Sequence, residues 1–238
     1  MHHGVVTVDL RGVTTVLLPG TGSDDSYVHR AFSSAAYRAG ALLHTPAPTP
    51  RCLIAGYRQA LDAAGARGPI VVGGVSLGAA VATNWALANP DRVLGVLAAL
   101  PAWTGAPEQA PAALAARYSA QQLREIGLDA SVTAMRAGSP GWLADELTRS
   151  WTAQWPALPD AMEEAAGYLS PDTAALRRLS VPMGVAAAAD DAVHPIAVAE
   201  HWVASAPRAA LRTVTLDAMG VDASVLGEAC VEALLAAG

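Results

Sequence analysis

Ser76 stands at the centre of the pentapeptide Gly74-Val75-Ser76-Leu77-Gly78, the most chemically specific pattern in the sequence. A serine hydroxyl is an effective nucleophile only when it is exposed, when a base removes its proton, and when N–H groups stabilise the oxyanion formed on attack. At a sharp turn, side chains two residues before and after the serine would crowd the backbone, and two glycines remove that conflict. The pentapeptide therefore predicts a nucleophilic serine on a tight turn, with an ordinary turn that has no chemistry as the alternative.

The residues on either side of the pentapeptide fit a turn that joins a strand to a helix. Ile70-Val71-Val72 is a β-branched run, which is typical of a buried strand. The small residues of 76–88 follow a helical pattern instead. This context favours the chemical interpretation of Ser76.

Short β-rich runs alternate with longer Ala-rich segments along the rest of the chain. The alternation predicts an α/β fold, in which a mainly parallel central sheet carries helices on both faces. The predicted strands are 13–18, 41–45, 69–74, 93–100, 183–188 and 211–216, and the predicted helices are 26–39, 52–64, 76–88, 196–204 and 224–236.

Residues 101–181 interrupt the alternation, because they contain amphipathic helical segments and no convincing strand. We expect one core built from residues 1–100 and 182–238, with 101–181 as a helical insertion, the segment where the family resemblance given below places a lid. Trp and Tyr side chains are concentrated in this insertion: Trp103, Trp142, Trp151, Trp155 and Tyr168. Large rings over a site would favour a small apolar substrate, whereas rings that only join helices to the core are the competing interpretation.

The composition argues against several classes of partner. The net charge is −6 and the charged residues are scattered, so the chain lacks the basic surface that nucleic acid requires. The two cysteines, Cys52 and Cys230, have no metal-binding or redox spacing. We therefore expect no metal, no cofactor and no disulfide, as in a reducing cytoplasm.

The chain also lacks the sequence patterns of export and of membrane insertion. Met1-His2-His3-Gly4 does not begin a signal sequence, and no run reaches the roughly 18 apolar residues of a membrane span. All fifteen basic residues are arginine and alanine is abundant, which indicates a bacterial genome of high GC content. We expect a cytoplasmic bacterial protein, and the sequence does not determine its oligomeric state.

Four segments resemble the α/β-hydrolase family, and they are distributed over most of the length of the chain. VTTVLLPGTGSDD (13–25) resembles the first central strand and oxyanion loop, and IVVGGVSLGAAVA (70–82) resembles the nucleophile elbow. VLGVLAALPA (93–102) resembles the strand before the lid, and MGVAAAADDAVHP (183–195) resembles the strand and loop that carry the acid. The resemblance implies a serine hydrolase in which Ser76 is the nucleophile.

The resemblance also implies roles for individual residues. By position, the backbone N–H groups of Thr21 and Leu77 would form the oxyanion hole, with Gly22 as the alternative to Thr21. The acid would be Asp191, which stands four residues before a recurrent proline, with Asp190 as its less favoured neighbour. An ordinary Gly-rich turn and a solvated or helix-capping pair of aspartates are the competing interpretations.

The histidine of the family pattern is missing from its usual place. That position follows Gly220 after the last predicted strand and holds Val221, and no histidine occurs after His201. Three explanations stay open: a base from elsewhere, a different mechanism that uses Ser76, or no hydrolytic activity. The best relocated base is His194, three residues after Asp191, although an exposed loop histidine would give the same sequence.

Other titratable residues are weaker candidates for the base. His201 falls on a predicted helix next to Trp202. Asp222 adjoins the vacant position, but the ordinary pKa of a carboxylate makes it a poor partner for a serine hydroxyl. The remaining histidines are His2, His3, His29 and His44.

Two functions from different classes compete. The first is a serine hydrolase that cleaves an ester or thioester of a small apolar substrate through Ser76, Asp191 and His194. The second is a catalytically impaired homologue that binds an apolar ligand. A lyase or isomerase on the same scaffold is a third option, because a fold does not determine a reaction.

Overall fold

Six parallel strands form a single sheet in the computed structural model, which describes residues 8–238 and leaves His2 and His3 outside the described part. The strand order is β2-β1-β3-β4-β5-β6, and each neighbouring pair is parallel. The strands are β1 (Thr14–Leu18), β2 (Leu42–His44), β3 (Ile70–Val75), β4 (Val93–Ala99), β5 (Met183–Ala188) and β6 (Ala209–Val214). The predicted α/β fold with a mainly parallel sheet is confirmed.

Helices follow the strands along the chain. They are α1 (Asp25–Ala39), α2 (Leu53–Gly65), α3 (Leu77–Ala88), α4 (Pro111–Ala137), α5 (Gly141–Gln154), α6 (Leu158–Ala166), α7 (Thr173–Leu176), α8 (Ile196–Ser205), α9 (Leu216–Val221) and α10 (Ser224–Ala237). The strands and core helices lie within two residues of their predicted bounds, except for α9. The part of the chain that the structure describes contains no helix long and apolar enough to cross a membrane.

Helix α9 was not predicted, because six residues are too few to show a helical period. Two side chains stabilise the first turn of α9. The hydroxyl of Thr215 accepts from the amide of Ala218 at 3.1 Å, and the carboxylate of Asp190 accepts from the amide of Leu216 at 2.8 Å. These bonds supply acceptors for N–H groups that have none within a helix.

The sheet buries both of its faces. Successive residues of a strand point to opposite faces. Val16 and Val72 accordingly belong to one apolar cluster, while Leu17 and Val71 belong to another on the opposite side. β1 and β3 are neighbours in the sheet, with Leu18 opposite Gly74. The loops that follow these two strands therefore leave the sheet side by side.

The chain between β4 and β5, residues 100–182, is helical and is called here the β4–β5 segment. It has an apolar cluster of its own, in which Trp103, Trp151 and Met162 are buried. It is also joined to the core, because the carboxylate of Glu164 accepts from the first amides of α2, at 2.9 Å from the nitrogen of Leu53. A hydrogen bond between a charged group and a helix N-terminus is stronger than a neutral one.

Helices α1 and α10 approach each other closely at Gly227. A Cβ atom at this position would overlap the carbonyl oxygen of Ala31 and the Cα atom of Phe32. Backbone atoms cannot move aside as a flexible side chain can, so this glycine is required by packing rather than by backbone conformation.

We predict that Gly227→Ala lowers the free energy of unfolding by about 1–3 kcal/mol, because the added methyl group separates two packed helices. Gly141→Ala is the matched control. Gly141 is also helical, and a Cβ atom there would have no neighbour within 4 Å. Urea denaturation of both variants measures the difference, and equal stabilities would contradict the packing argument.

Candidate active site

The backbone of Ser76 has the strained conformation expected of a sharp turn between β3 and α3. Its φ is 54° and its ψ is −114°, in a region that residues other than glycine rarely adopt. Gly74 and Gly78 make this turn possible, because a Cβ atom on either residue would overlap the carbonyl oxygen of Leu18. The end of β1 thus lies against the turn on both sides of Ser76.

The structure brings Ser76, His194 and Asp191 into one hydrogen-bonded chain. The Nε2 atom of His194 lies 3.0 Å from the hydroxyl oxygen of Ser76. The Nδ1 atom of the same ring lies 2.7 Å from a carboxylate oxygen of Asp191. Because an ionised carboxylate can only accept, Nδ1 donates to Asp191, and the neutral ring then offers Nε2 as the acceptor for the serine proton.

The loop between β5 and α8 holds the acid and the base together. One carboxylate oxygen of Asp191 accepts from the backbone amides of Val193 at 2.8 Å and of His194 at 3.2 Å. The other oxygen binds the His194 ring. Since the same carboxylate orients both the backbone and the ring, the imidazole is fixed before a substrate arrives.

The pKa of the Asp191 carboxyl lies below its ordinary value. Burial by itself would raise this pKa, but the hydrogen bond and the charge of the His194 ring, together with the amides of Val193 and His194, outweigh it. The net effect favours the ionised carboxylate. An ionised Asp191 can stabilise the positive charge that His194 acquires when it takes a proton.

The loop after β1 lies beside the turn of Ser76. A Cβ atom on Gly20 would be 3.2 Å from the carbonyl oxygen of Val75 and 3.4 Å from the Cβ of Ser76. The loop reverses at Gly22, whose φ of 69° is in the left-handed region, and the amide of Ser23 donates to the carbonyl of Gly20 at 3.1 Å. Residues 19–24 are called here the oxyanion loop.

The two N–H groups predicted for the oxyanion hole are available. Leu77 is the first residue of α3, where helical N–H groups have no acceptor within the helix. Among residues 8–238, neither the amide of Leu77 nor that of Thr21 is bonded to a backbone carbonyl. Neither group thus has a backbone acceptor in the described part of the chain, as the predicted role requires.

Position 221, where the family pattern places its histidine, faces away from Ser76. The side chain of Val221 is 90% exposed. The space beside the neighbouring Gly220 is filled by the indole of Trp142, which a Cβ atom at 220 would overlap. Asp222 does not reach Ser76 either, since its carboxylate accepts from the amide of Ser224 at 2.8 Å.

The other histidines of the described chain have different surroundings. The Nε2 atom of His201 is 2.8 Å from the hydroxyl of Thr173, and His29 and His44 are exposed. Asp190 points towards α9, where it accepts from the amide of Leu216. Of the sequence candidates that lie within residues 8–238, the structure brings only His194 and Asp191 to Ser76.

Sequence reasoning missed three residues of α5 that contact the oxyanion loop. Arg149 binds the carboxylate of Asp24 with two nitrogens, at distances down to 2.8 Å. The amide nitrogen of Gln154 donates to the carbonyl of Ser23 at 3.0 Å. The indole of Trp151 lies against Gly22. The abundance of tryptophan in 101–181 was a signal, but it could not identify which ring would reach the loop.

Metal chemistry is not suggested by the arrangement of side chains. Within residues 8–238, no three His, Cys, Asp or Glu side chains are grouped so that they could hold a metal ion. The two cysteines are not bonded to each other, with Cys52 exposed and Cys230 buried.

Comparison with known proteins agrees with the resemblance seen in the sequence. Residues 1–233 match the model of a family described as the alpha/beta hydrolase family. No sequence among the curated proteins matches the chain.

Solved structures share the fold at low identity. A thermophilic esterase from Thermogutta terrifontis is 20% identical, with a TM-score of 0.61 over 87% of this chain and 81% of its own. An enol-lactonase from Burkholderia xenovorans LB400 is 16% identical, with a TM-score of 0.65 over 87% and 84%. MenH from S. aureus is 14% identical, with a TM-score of 0.67 over 91% and 88%.

We predict that the stability lost in Asp191→Asn depends on pH. A carboxyl whose pKa is lowered by folding stabilises the protein above its unfolded pKa of about 4, and this contribution disappears as the pH falls through the folded pKa. The free energy of unfolding of the wild type should therefore exceed that of the variant most at pH 6–7, and the two free energies should converge below about pH 4. Urea denaturation between pH 3 and 7 measures this, and a constant difference would contradict it.

Proposed function

We propose a hydrolytic activity for this chain, which belongs to the alpha/beta hydrolase family. The proposed enzyme is a serine hydrolase that cleaves an ester or thioester of a small apolar substrate through Ser76. One observation carries the proposal: the hydroxyl of Ser76, the ring of His194 and the carboxylate of Asp191 form a continuous chain with distances of 3.0 and 2.7 Å.

The first half of the proposed reaction forms an acyl-enzyme. His194 Nε2 takes the proton of the Ser76 hydroxyl as its oxygen attacks the acyl carbon, and Asp191 stabilises the resulting imidazolium. The amides of Thr21 and Leu77 stabilise the oxyanion of the tetrahedral intermediate. The C–O or C–S bond then breaks, and His194 returns the proton to the departing alcohol or thiol.

The second half releases the acid. Water attacks the acyl-enzyme while His194 Nε2 takes one of its protons, and the same two amides stabilise the second oxyanion. The bond to the Ser76 oxygen breaks, His194 gives the proton back to that oxygen, and the carboxylic acid leaves. Each proton that His194 accepts is returned within the same half, so the enzyme ends each cycle unchanged.

The surroundings of Ser76 support a small apolar substrate. Ser76 is only 8% exposed. The indole of Trp151 and the Cε atom of Met162 both lie against Gly22 in the oxyanion loop. These side chains belong to the β4–β5 segment, which we infer to act as the lid. The esterase and lactonase among the structural neighbours act on related bonds, which agrees with an ester substrate.

The competing function is that of a ligand-binding homologue without turnover. It is motivated by Val221, since the position that carries the family's histidine holds a residue that cannot accept a proton. The relocated His194 answers this objection by its contact with Ser76.

We predict that a fluorophosphonate probe labels the wild type and that Ser76→Ala abolishes labelling, because the probe bonds only to an activated serine oxygen. His194→Ala should lower kcat on p-nitrophenyl butyrate by about 10³-fold or more, since the general base is lost. His201→Ala is the matched control and should leave kcat unchanged. Labelling is followed by intact mass and kcat by release of p-nitrophenol.

Two results would overturn the proposal. One is a wild type that stays unlabelled under conditions that label a control esterase. The other is an esterase rate that Ser76→Ala leaves unchanged. Saturable thermal stabilisation by an apolar ligand, in a protein that shows no turnover, would support the ligand-binding alternative.

We predict that Val221→His does not restore activity to His194→Ala. Side chain 221 points into solvent, and Trp142 fills the space beside Gly220, so an imidazole there cannot reach Ser76 without displacing an aromatic ring. The kcat of the double variant should equal that of His194→Ala within about twofold. Recovery by tenfold or more would show that the loop can rearrange and would contradict this assignment.

A further inference from the structure

The indole N–H of Trp151 is a buried hydrogen-bond donor with no acceptor. Trp151 is 4% exposed, and no acceptor among the described residues binds its Nε1 atom. Most buried donors in proteins are paired, so an unpaired one requires an explanation. A ligand that supplies the missing acceptor is one such explanation.

The unpaired donor lies against the oxyanion loop. The Nε1 atom is 2.9 Å from the point that a Cβ atom on Gly22 would occupy. Because residue 22 is a glycine, no side chain of the loop separates its backbone from the indole. Thr21, whose amide is proposed for the oxyanion hole, is the preceding residue. The indole N–H therefore packs against the loop next to a proposed oxyanion donor.

Neighbouring residues of α5 hold the indole ring of Trp151 against the oxyanion loop. Arg149 is bonded to Asp24, and Gln154 is bonded to Ser23. These contacts lie on either side of Trp151 in the sequence of α5. A donor fixed in this way loses little conformational entropy when it binds an acceptor.

Other tryptophans of the same region differ from Trp151. The Nε1 atom of Trp103, in the same apolar cluster, donates to the carbonyl of Tyr168 at 3.1 Å. Trp142 also lacks an acceptor, but it stacks on Tyr27 and packs against Gly220, outside the oxyanion loop. Trp151 thus combines an unpaired donor with contact to the loop.

We propose that the indole N–H of Trp151 binds an oxygen atom in the acyl chain of the substrate. The inference rests on the proposed hydrolase function and narrows its substrate class. An oxo group on the third or fourth carbon of the acyl chain adds an acceptor close to the ester carbonyl while the rest of the chain stays apolar. The substrate is then an ester or thioester of an apolar 3-oxo or 4-oxo acid.

Met162 gives the substrate a way to reach this donor. Its Cε atom lies 3.1 Å from the same point above Gly22. Methionine has a flexible, unbranched side chain that repacks easily. Rotation of Met162 opens the space in front of the indole N–H without movement of the backbone.

The test compares p-nitrophenyl esters of pentanoate, 3-oxopentanoate and 4-oxopentanoate in the wild type and in Trp151→Phe. Phenylalanine keeps an aromatic ring and removes the donor. In Trp151→Phe, we expect the kcat/KM of at least one oxo ester, divided by that of pentanoate, to be about 10-fold lower than in the wild type. This is the effect expected for the loss of one hydrogen bond. The rate on pentanoate is the internal reference, and the quantity compared between the two proteins is the ratio of oxo ester to pentanoate. Taking the ratio of two esters cancels their different intrinsic reactivities.

Trp103→Phe is the matched control, because it removes the same group from a donor that already has an acceptor. It should lower Tm by about 2–4 °C and leave the ratio of oxo ester to pentanoate unchanged. Trp151→Phe also removes buried ring atoms and should lower Tm by a comparable amount, so the ester ratio is the measurement that distinguishes the two variants. An equal loss of activity on all three esters would assign Trp151 a structural role only and would overturn the inference.

The inference and the proposed function can fail separately. A wild type that fluorophosphonate does not label overturns both, whereas a labelled protein whose ester ratios are unchanged in Trp151→Phe overturns the inference alone. If the variant does not fold, the test uses the indole N–H signals in the NMR spectrum of the wild type, which has six tryptophans. Two phosphonates are compared, one with a 3-oxo or 4-oxo chain and one with a plain alkyl chain. The oxo phosphonate must shift one indole signal that the alkyl phosphonate does not shift, and failure to do so overturns the inference.

Discussion

The contact between the end of β1 and the turn of Ser76 is the constraint on which the site depends. The carbonyl oxygen of Leu18 occupies the space that a Cβ atom on Gly74 or Gly78 would need. Because β1 and β3 are adjacent parallel strands, this contact places the oxyanion loop directly beside the serine. A side chain at either glycine would push the turn and the loop apart, so the positions of Ser76 and of the proposed oxyanion donors depend on each other.

The proposed acid and the proposed base come from a single loop. Asp191 and His194 are three residues apart, and the carboxylate of Asp191 binds both the backbone and the ring of His194. Helix α9 follows β6 in this structure, and Trp142 packs against that helix at Gly220. Such a loop costs little additional entropy of closure, since its two functional side chains are joined by few residues.

The β4–β5 segment takes part in the geometry of the oxyanion loop. Arg149 and Gln154 bond to Asp24 and Ser23, and Trp151 packs against Gly22. Partly exposed ion pairs contribute little to stability, about 0–1 kcal/mol each. Their importance here lies in position, because they join the segment to the loop that contains the proposed oxyanion donor Thr21.

The sequence by itself determined the class of fold, the strand order along the chain and the turn at Ser76. These features depend on local patterns: β-branched runs, small residues in helices and glycines two residues either side of a serine. The sequence also named Asp191 and His194, but it could not say whether the ring of His194 pointed inward, since an exposed loop histidine has the same sequence. Only the tertiary structure decided that His194 contacts Ser76 and that Val221 faces solvent. The same holds for Arg149, Gln154 and Trp151, which reach the loop across more than a hundred residues, because contacts between distant segments are set by packing and leave no local pattern.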